Sequence, residues 1–164
     1  MNDYNQKLFQ KYSRKGILVD TNILLLWIIG LVDRNYIKKF KRTADRFTVD
    51  DFDLIFQLFN RFQVKVTTTS ILTEVSNLMG QINERFKADY FDTFSEVINL
   101  ADERLLMSSE VSDSPEFRKF GLTDSVIARV ARGNYLVLTD DLPLYHYLSN
   151  VEIDVINFNY IRKL

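Results

Sequence analysis

Cysteine is absent from the 164-residue sequence, and histidine occurs once, at His146. The first absence removes disulfides, thiolate zinc centres and cysteine nucleophiles together. The second removes metal sites built on paired histidines and nuclease mechanisms that need two, although a Ser–His–Asp arrangement needs only one. Two prolines leave no candidate linker. The most apolar stretch, Ile23 to Val32, is ten residues long, half of the roughly 20 that a membrane-spanning helix requires. Met1 to Lys15 has no apolar segment of the kind a secretory signal carries, so a cytoplasmic protein without membrane association is expected. Neither sign of charge dominates: 21 Lys plus Arg face 22 Asp plus Glu. Any nucleic-acid contact must therefore be local rather than a general basic coat.

What is present is an ordinary globular composition, 46% hydrophobic and 26% charged, in a chain of about one domain's length. The organisation expected is an N-terminal extension over residues 1–15 and one domain over residues 16–164. Gly16-Ile17-Leu18-Val19 is a short apolar run of β-formers ended by Asp20-Thr21-Asn22. The apolar stretch from Ile23 is too long for a strand and predicts a buried helix. Thr48 with Asp51 predicts a capping box, followed by Phe52, Ile55, Phe56, Phe59 and Phe62 at helical spacing. Val64 to Thr69 alternates and is rich in β-branched residues, predicting a strand that leads into a helix with Ile71, Val75, Leu78 and Ile82 on one face. Residues 86–102 and 115–132 read as further helices, with Leu105 to Ser108 as an extended piece between them. Tyr135 to Leu138 and Ile153 to Phe158 read as strands. Strands separated by helices imply right-handed crossovers and a parallel sheet covered on both faces, an α/β fold.

In such sheets, sites form beyond the carboxyl ends of the strands, and acids collect there. Asp20 ends the first strand, Asp140-Asp141 follow the Leu136–Leu138 strand, Glu74 lies one helical turn beyond the Val64–Thr69 strand, and Asp124 opens the helix before Tyr135. Each has a purely structural alternative: Asp20 or Asn22 as a helix cap, Asp124 as a complement to the helix dipole, Asp140-Asp141 as turn residues. On a helical wheel Glu74 borders the buried arc, with no lysine or arginine within a turn, so a metal ion is a natural partner. Three or four converging carboxylates describe a magnesium or manganese site for phosphodiester chemistry, and they repel one another without the ion.

Four segments in order resemble the PIN-domain ribonucleases: Ile17-Leu18-Val19-Asp20-Thr21-Asn22, Ser70 to Leu78 around Glu74, Gly121 to Ala128 around Asp124, and Leu136-Val137-Leu138-Thr139-Asp140-Asp141. The resemblance implies a single-domain, Rossmann-like three-layer sandwich with a mostly parallel sheet. It implies a Mg2+- or Mn2+-dependent endoribonuclease whose catalytic and metal-binding acids are Asp20, Glu74, Asp124 and, by the Thr-x-Asp register, Asp141. Asp140 competes for the fourth role, and Asn22 and Thr139 would orient ligands or water. Many members of that family are toxins held by an antitoxin, and many are homodimers; others process RNA without an antitoxin.

Arg34, Lys38 and Arg42 fall on one stripe if their segment is a helix, giving either an RNA-backbone track beside the acids or a solvated face. Phe52, Phe56, Phe59 and Phe62 have core spacing, Trp27 is expected in the core, and His146 has no assigned role. Two other functions compete with the nuclease. A haloacid-dehalogenase-like phosphohydrolase also begins with a strand ending in Asp, but its second acid would stand at Asn22. A catalytically inactive PIN scaffold would bind RNA or protein without cleaving; acidic residues at all four positions argue against it.

Overall fold

The computed structural model describes residues 3–162. Five strands, β1 (Ile17–Val19), β2 (Lys65–Thr68), β3 (Asp102–Arg104), β4 (Leu136–Thr139) and β5 (Val155–Asn157), form one sheet in the order β3-β2-β1-β4-β5. Every pairing is parallel; Ile17 lies opposite both Lys65 and Leu136. β1, β4 and β5 are buried along their whole length, as a sheet covered on both faces requires. This is the Rossmann-like α/β sandwich expected from the sequence.

The strand order fixes where the site lies. From central β1 the chain moves outward through β2 to β3, then returns across the sheet to β4 and β5. Right-handed crossovers put the helices of these two halves on opposite faces. On one side α2 (Thr21–Val32) packs against α4 (Val49–Phe59), α5 (Thr69–Met79) and α6 (Glu84–Leu100); on the other, α8 (Leu122–Ala131) packs on β4 and α9 (Leu142–Asn150) on β4 and β5. The direction of winding reverses between β1 and β4, the place where an open parallel sheet leaves a crevice at its carboxyl edge.

Several local expectations need correcting. The stretch read as an extension contains α1 (Asp3–Tyr12), whose Leu8, Phe9 and Tyr12 are buried in the common core. Tyr12 and Lys11 both donate to Asp154, at 2.7 and 2.6 Å, and so tie α1 to the start of β5. The strand expected over Leu105–Ser108 lies three residues earlier as β3, an exposed edge that apolar patterning does not reveal. The helix read over 115–132 is two helices, α7 (Pro115–Phe120) and α8, broken at Gly121, whose φ of +84° ends one and opens the other. The basic segment is a 3₁₀ turn over Arg34–Lys38 and the short α3 (Lys41–Ala44), separated by extended Phe40. Arg34, Lys38 and Arg42 therefore do not share one helical stripe. The short helix α10 (Phe158–Ile161) follows β5. Among the described residues, no helix is long and apolar enough to cross a membrane.

Candidate acidic site

Asp20 stands where β1 ends and α2 begins, and it caps that helix. Its Oδ1 accepts the Ile23 N–H at 3.0 Å, while Oδ2 accepts the Asp140 N–H at 3.0 Å and the Thr139 hydroxyl. The carboxyl is buried, and burial, followed by the neighbouring charge of Asp140, pushes its pKa up to about 7 against the hydrogen bonds that favour the ionised form. The capping role that the sequence offered as an alternative is therefore real, but a cap alone would use one of these three donors.

Asp140 faces Asp20 across the β1–β4 crevice. Its Oδ1 accepts the Asn22 side-chain amide at 3.0 Å and its Oδ2 accepts Arg46 at 3.1 Å. The Asn159 side chain donates to its carbonyl at 2.7 Å, so the turn after β4 is held on three sides. Arg46 is the cation of the basic segment that reaches an acid at this edge. Arg34 instead pairs with Asp53 and lies over the Phe52 ring, Arg42 donates to Gln81 at 3.0 Å, and Lys38 is exposed. Sequence spacing could not single out Arg46, because its partner lies 94 residues away.

Glu74 departs from the wheel argument. Its side chain is exposed, and it is paired without a cation: Oε2 accepts the Thr21 hydroxyl at 2.7 Å and Oε1 accepts the Thr123 hydroxyl. Thr68 caps α5 through the Ile71 N–H and sets the helix that carries Glu74 at the strand end. Through Thr21 and Thr123, Glu74 links the first turns of α2 and α8. These two threonines were not anticipated, since hydroxyl partners 49 and 53 residues distant leave no local pattern.

Asp124 lies in the first turn of α8, next to Thr123. No described residue donates a hydrogen bond to its half-buried carboxylate; burial first, then the charges of Asp141 and Glu74, push its pKa up to about 7. Asp141 is exposed and caps α9, its Oδ1 accepting the Leu144 N–H at 2.7 Å. Asp140 and Asp141 thus take different parts: the first belongs with Asp20 and Arg46, the second with Asp124.

The structure accordingly resolves the acids into two groups, the Asp20–Asp140 pair and the electrostatically linked Glu74, Asp124 and Asp141. Among the described residues, no three acids or histidines form a ready-made metal cage. The donor chemistry is all oxygen, and Asp124 combines partial burial with two like-charged neighbours and no hydrogen-bond donor. That set fits a hard cation held by one or two carboxylates with water, the habit of magnesium, better than a closed site. Beside Glu74 and Thr123 a groove of about 640 Å³ opens, lined also by Arg104, Leu105 and Met107. The chain matches no family model, no curated protein and no solved structure.

Proposed function

We propose that the carboxyl edge of this sheet is the active site of a magnesium- or manganese-dependent endoribonuclease of the PIN type. The observation that carries this reading is Asp124, a half-buried carboxylate beside Asp141 and Glu74 with no donor among the described residues to offset its charge. Such an arrangement is costly in the fold alone and becomes favourable when a cation and a phosphodiester enter. Asp124, with Asp141 or Glu74 beside it, would hold the ion together with water, and Asp20 would be a further acid whose ionisation the cation favours. A bound divalent ion supplies a water of lowered pKa and offsets charge on the phosphate.

The chain's own residues do the positioning. Thr139 and the Asp140 N–H fix Asp20, Thr21 and Thr123 fix Glu74, and Arg46 balances Asp140 so that one acid fewer opposes an incoming polyanion. The groove beside Glu74 gives single-stranded RNA a path to these acids, and Arg104 on its lining, paired with Asp102, could turn to the RNA backbone. A cytoplasmic location, an antitoxin partner and a homodimer belong to the same proposal and rest on the four PIN-like segments.

The test is cleavage of unstructured RNA in manganese, with EDTA and Asp124→Asn as controls. Metal-dependent cleavage that the substitution abolishes supports the proposal. Cleavage no greater than in the Asp124→Asn control defeats it, and RNA binding without any cleavage would establish the non-cleaving scaffold in its place.

A further inference from the structure

A cavity that is not lined by the acids of the proposed site lies against the sheet. It sits between β1, β2 and helices α2, α4 and α6, with a volume of about 350 Å³, walled by Val19, Leu24, Phe59 and Val97. That volume is within the range of small-molecule pockets. Two buried polar atoms, Trp27 Nε1 and Thr67 Oγ1, have no hydrogen-bond partner among the described residues; both atoms are closed to solvent, and both belong to residues that line this cavity. Thr67 is 3% exposed on a strand where valine would fill the same shape without a hydroxyl to satisfy. Among the described residues no acid lines the cavity, whereas Lys65, two residues before Thr67 on β2, does. Its ammonium donates to the Phe62 carbonyl at 3.0 Å, and among the described residues no carboxylate pairs with it.

Water is a poor occupant. The volume corresponds to about twelve waters at ~30 Å³ each, and each needs two to four polar partners; besides Trp27, Lys65 and Thr67 the lining side chains offer only the Asn60 and Gln63 amides, too few for that number. An occupant that suits the walls has an apolar body, and one that suits Trp27 N–H, Thr67 O–H and Lys65 has an acceptor head carrying negative charge. We propose that this cavity binds an apolar monocarboxylic acid, its chain or ring against the walls and its carboxylate taking the unused donors.

Trp27 is the sole tryptophan, so its fluorescence reports occupancy directly. Octanoate should change it saturably, and octylammonium, of equal chain length but without an acceptor, should bind about tenfold more weakly or not at all. Thr67→Val should melt at or above the parent when no octanoate is added, because an unsatisfied hydroxyl has gone, while its octanoate affinity falls. Lys65→Gln, measured by calorimetry in parallel, should also weaken octanoate and narrow its advantage over octylammonium, because a like charge no longer opposes the ammonium head. No saturable response to octanoate, equal affinity for octylammonium, or undiminished octanoate binding by both variants would each overturn the proposal.

Discussion

The Thr139 hydroxyl donates to Asp20 from the far side of a strand pair, 119 residues on in the chain, and the same oxygen accepts the Asp141 N–H at 2.9 Å. One side chain, itself fully buried, thus orients the acid at the end of β1 and the backbone of the turn at the end of β4. Thr139→Val removes both bonds and leaves a buried carboxyl and an amide short of partners. Stability should fall by about 2–3 kcal/mol in urea denaturation, and Thr139→Ser should recover most of it. A loss of less than half that amount in the valine variant would mean that the turn is held by other contacts.

Raised pKa values at Asp20 and Asp124 have a defined consequence for pH dependence. Between the ordinary carboxylate range near 4 and about 7, the folded protein holds protons at these two groups that the unfolded chain releases. Stability from these groups is therefore present in full at the acid end of that window and is lost as pH rises through about 7. Asp154 and Glu116, whose pKa values are lowered by partners Lys11 with Tyr12 and by Tyr147, act in the opposite sense below that window. In metal-free buffer the urea midpoint should be higher at pH 5 than at pH 7.5, and Asp124→Asn should flatten the slope.

Gly30 allows α2 and α4 to approach. A Cβ built there would lie 2.1 Å from Cδ2 of Phe52, a buried ring with little freedom to move. Gly30→Ala should destabilise by about 1–3 kcal/mol despite the better helix propensity of alanine, because overpacking outweighs the roughly 1 kcal/mol that propensity offers. Calorimetric melting of the single variant checks this, and restoration of the melting temperature by Phe52→Leu in the Gly30→Ala background identifies the cause.

Arg46 is half exposed, whereas its partner Asp140 has a side chain only 7% exposed. Arg46→Gln leaves Asp140 with the Asn22 amide and no cation. Solvent reaches the arginine side of the pair, so the loss should be modest, about 1 kcal/mol. Its effect on metal-free protein should be larger at pH 7.5 than at pH 5, since Asp20 faces Asp140 and protonation at Asp20 relieves their repulsion. An equal loss at both pH values would show that the two carboxyls do not feel one another.

The parallel sheet, the buried α2 and the capping box at Thr48 were legible because each rests on local pattern: β-branched runs, an apolar stretch too long for a strand, an acid three residues after a threonine. The acids were legible by their place at strand ends. Their partners were not. Glu74 appeared to need a cation because a helical wheel sees neighbours on one helix, whereas its hydroxyl donors come from α2 and α8. The edge strand β3 was misplaced because Asp102-Glu103-Arg104 carries no apolar signal, and the basic segment was read as one helix because charge spacing alone does not show where the chain turns at Phe40.

Asp20→Asn and Asp124→Asn separate structural from ligand-binding roles, because the two acids differ in what donates to them. At Asp20, asparagine can still accept the Ile23 N–H, but its amide would oppose the Asp140 N–H and the Thr139 hydroxyl, which both need an acceptor. Neutralising this acid therefore relieves repulsion at the cost of two buried hydrogen bonds, and the variant should melt below the parent in EDTA. At Asp124 no donor is lost, while repulsion from Asp141 and Glu74 is relieved. Asp124→Asn should accordingly melt above the parent in EDTA at pH 7.5. Added manganese should reverse that order: a ligand that binds the folded state alone stabilises it in proportion to the logarithm of its concentration over Kd, and a site lacking Asp124 has a higher Kd. The parent should overtake the variant as manganese rises, and magnesium should act likewise at higher concentration. If the parent and Asp124→Asn gain equally from manganese at every concentration, Asp124 holds no cation, and the nuclease reading loses the observation on which it stands.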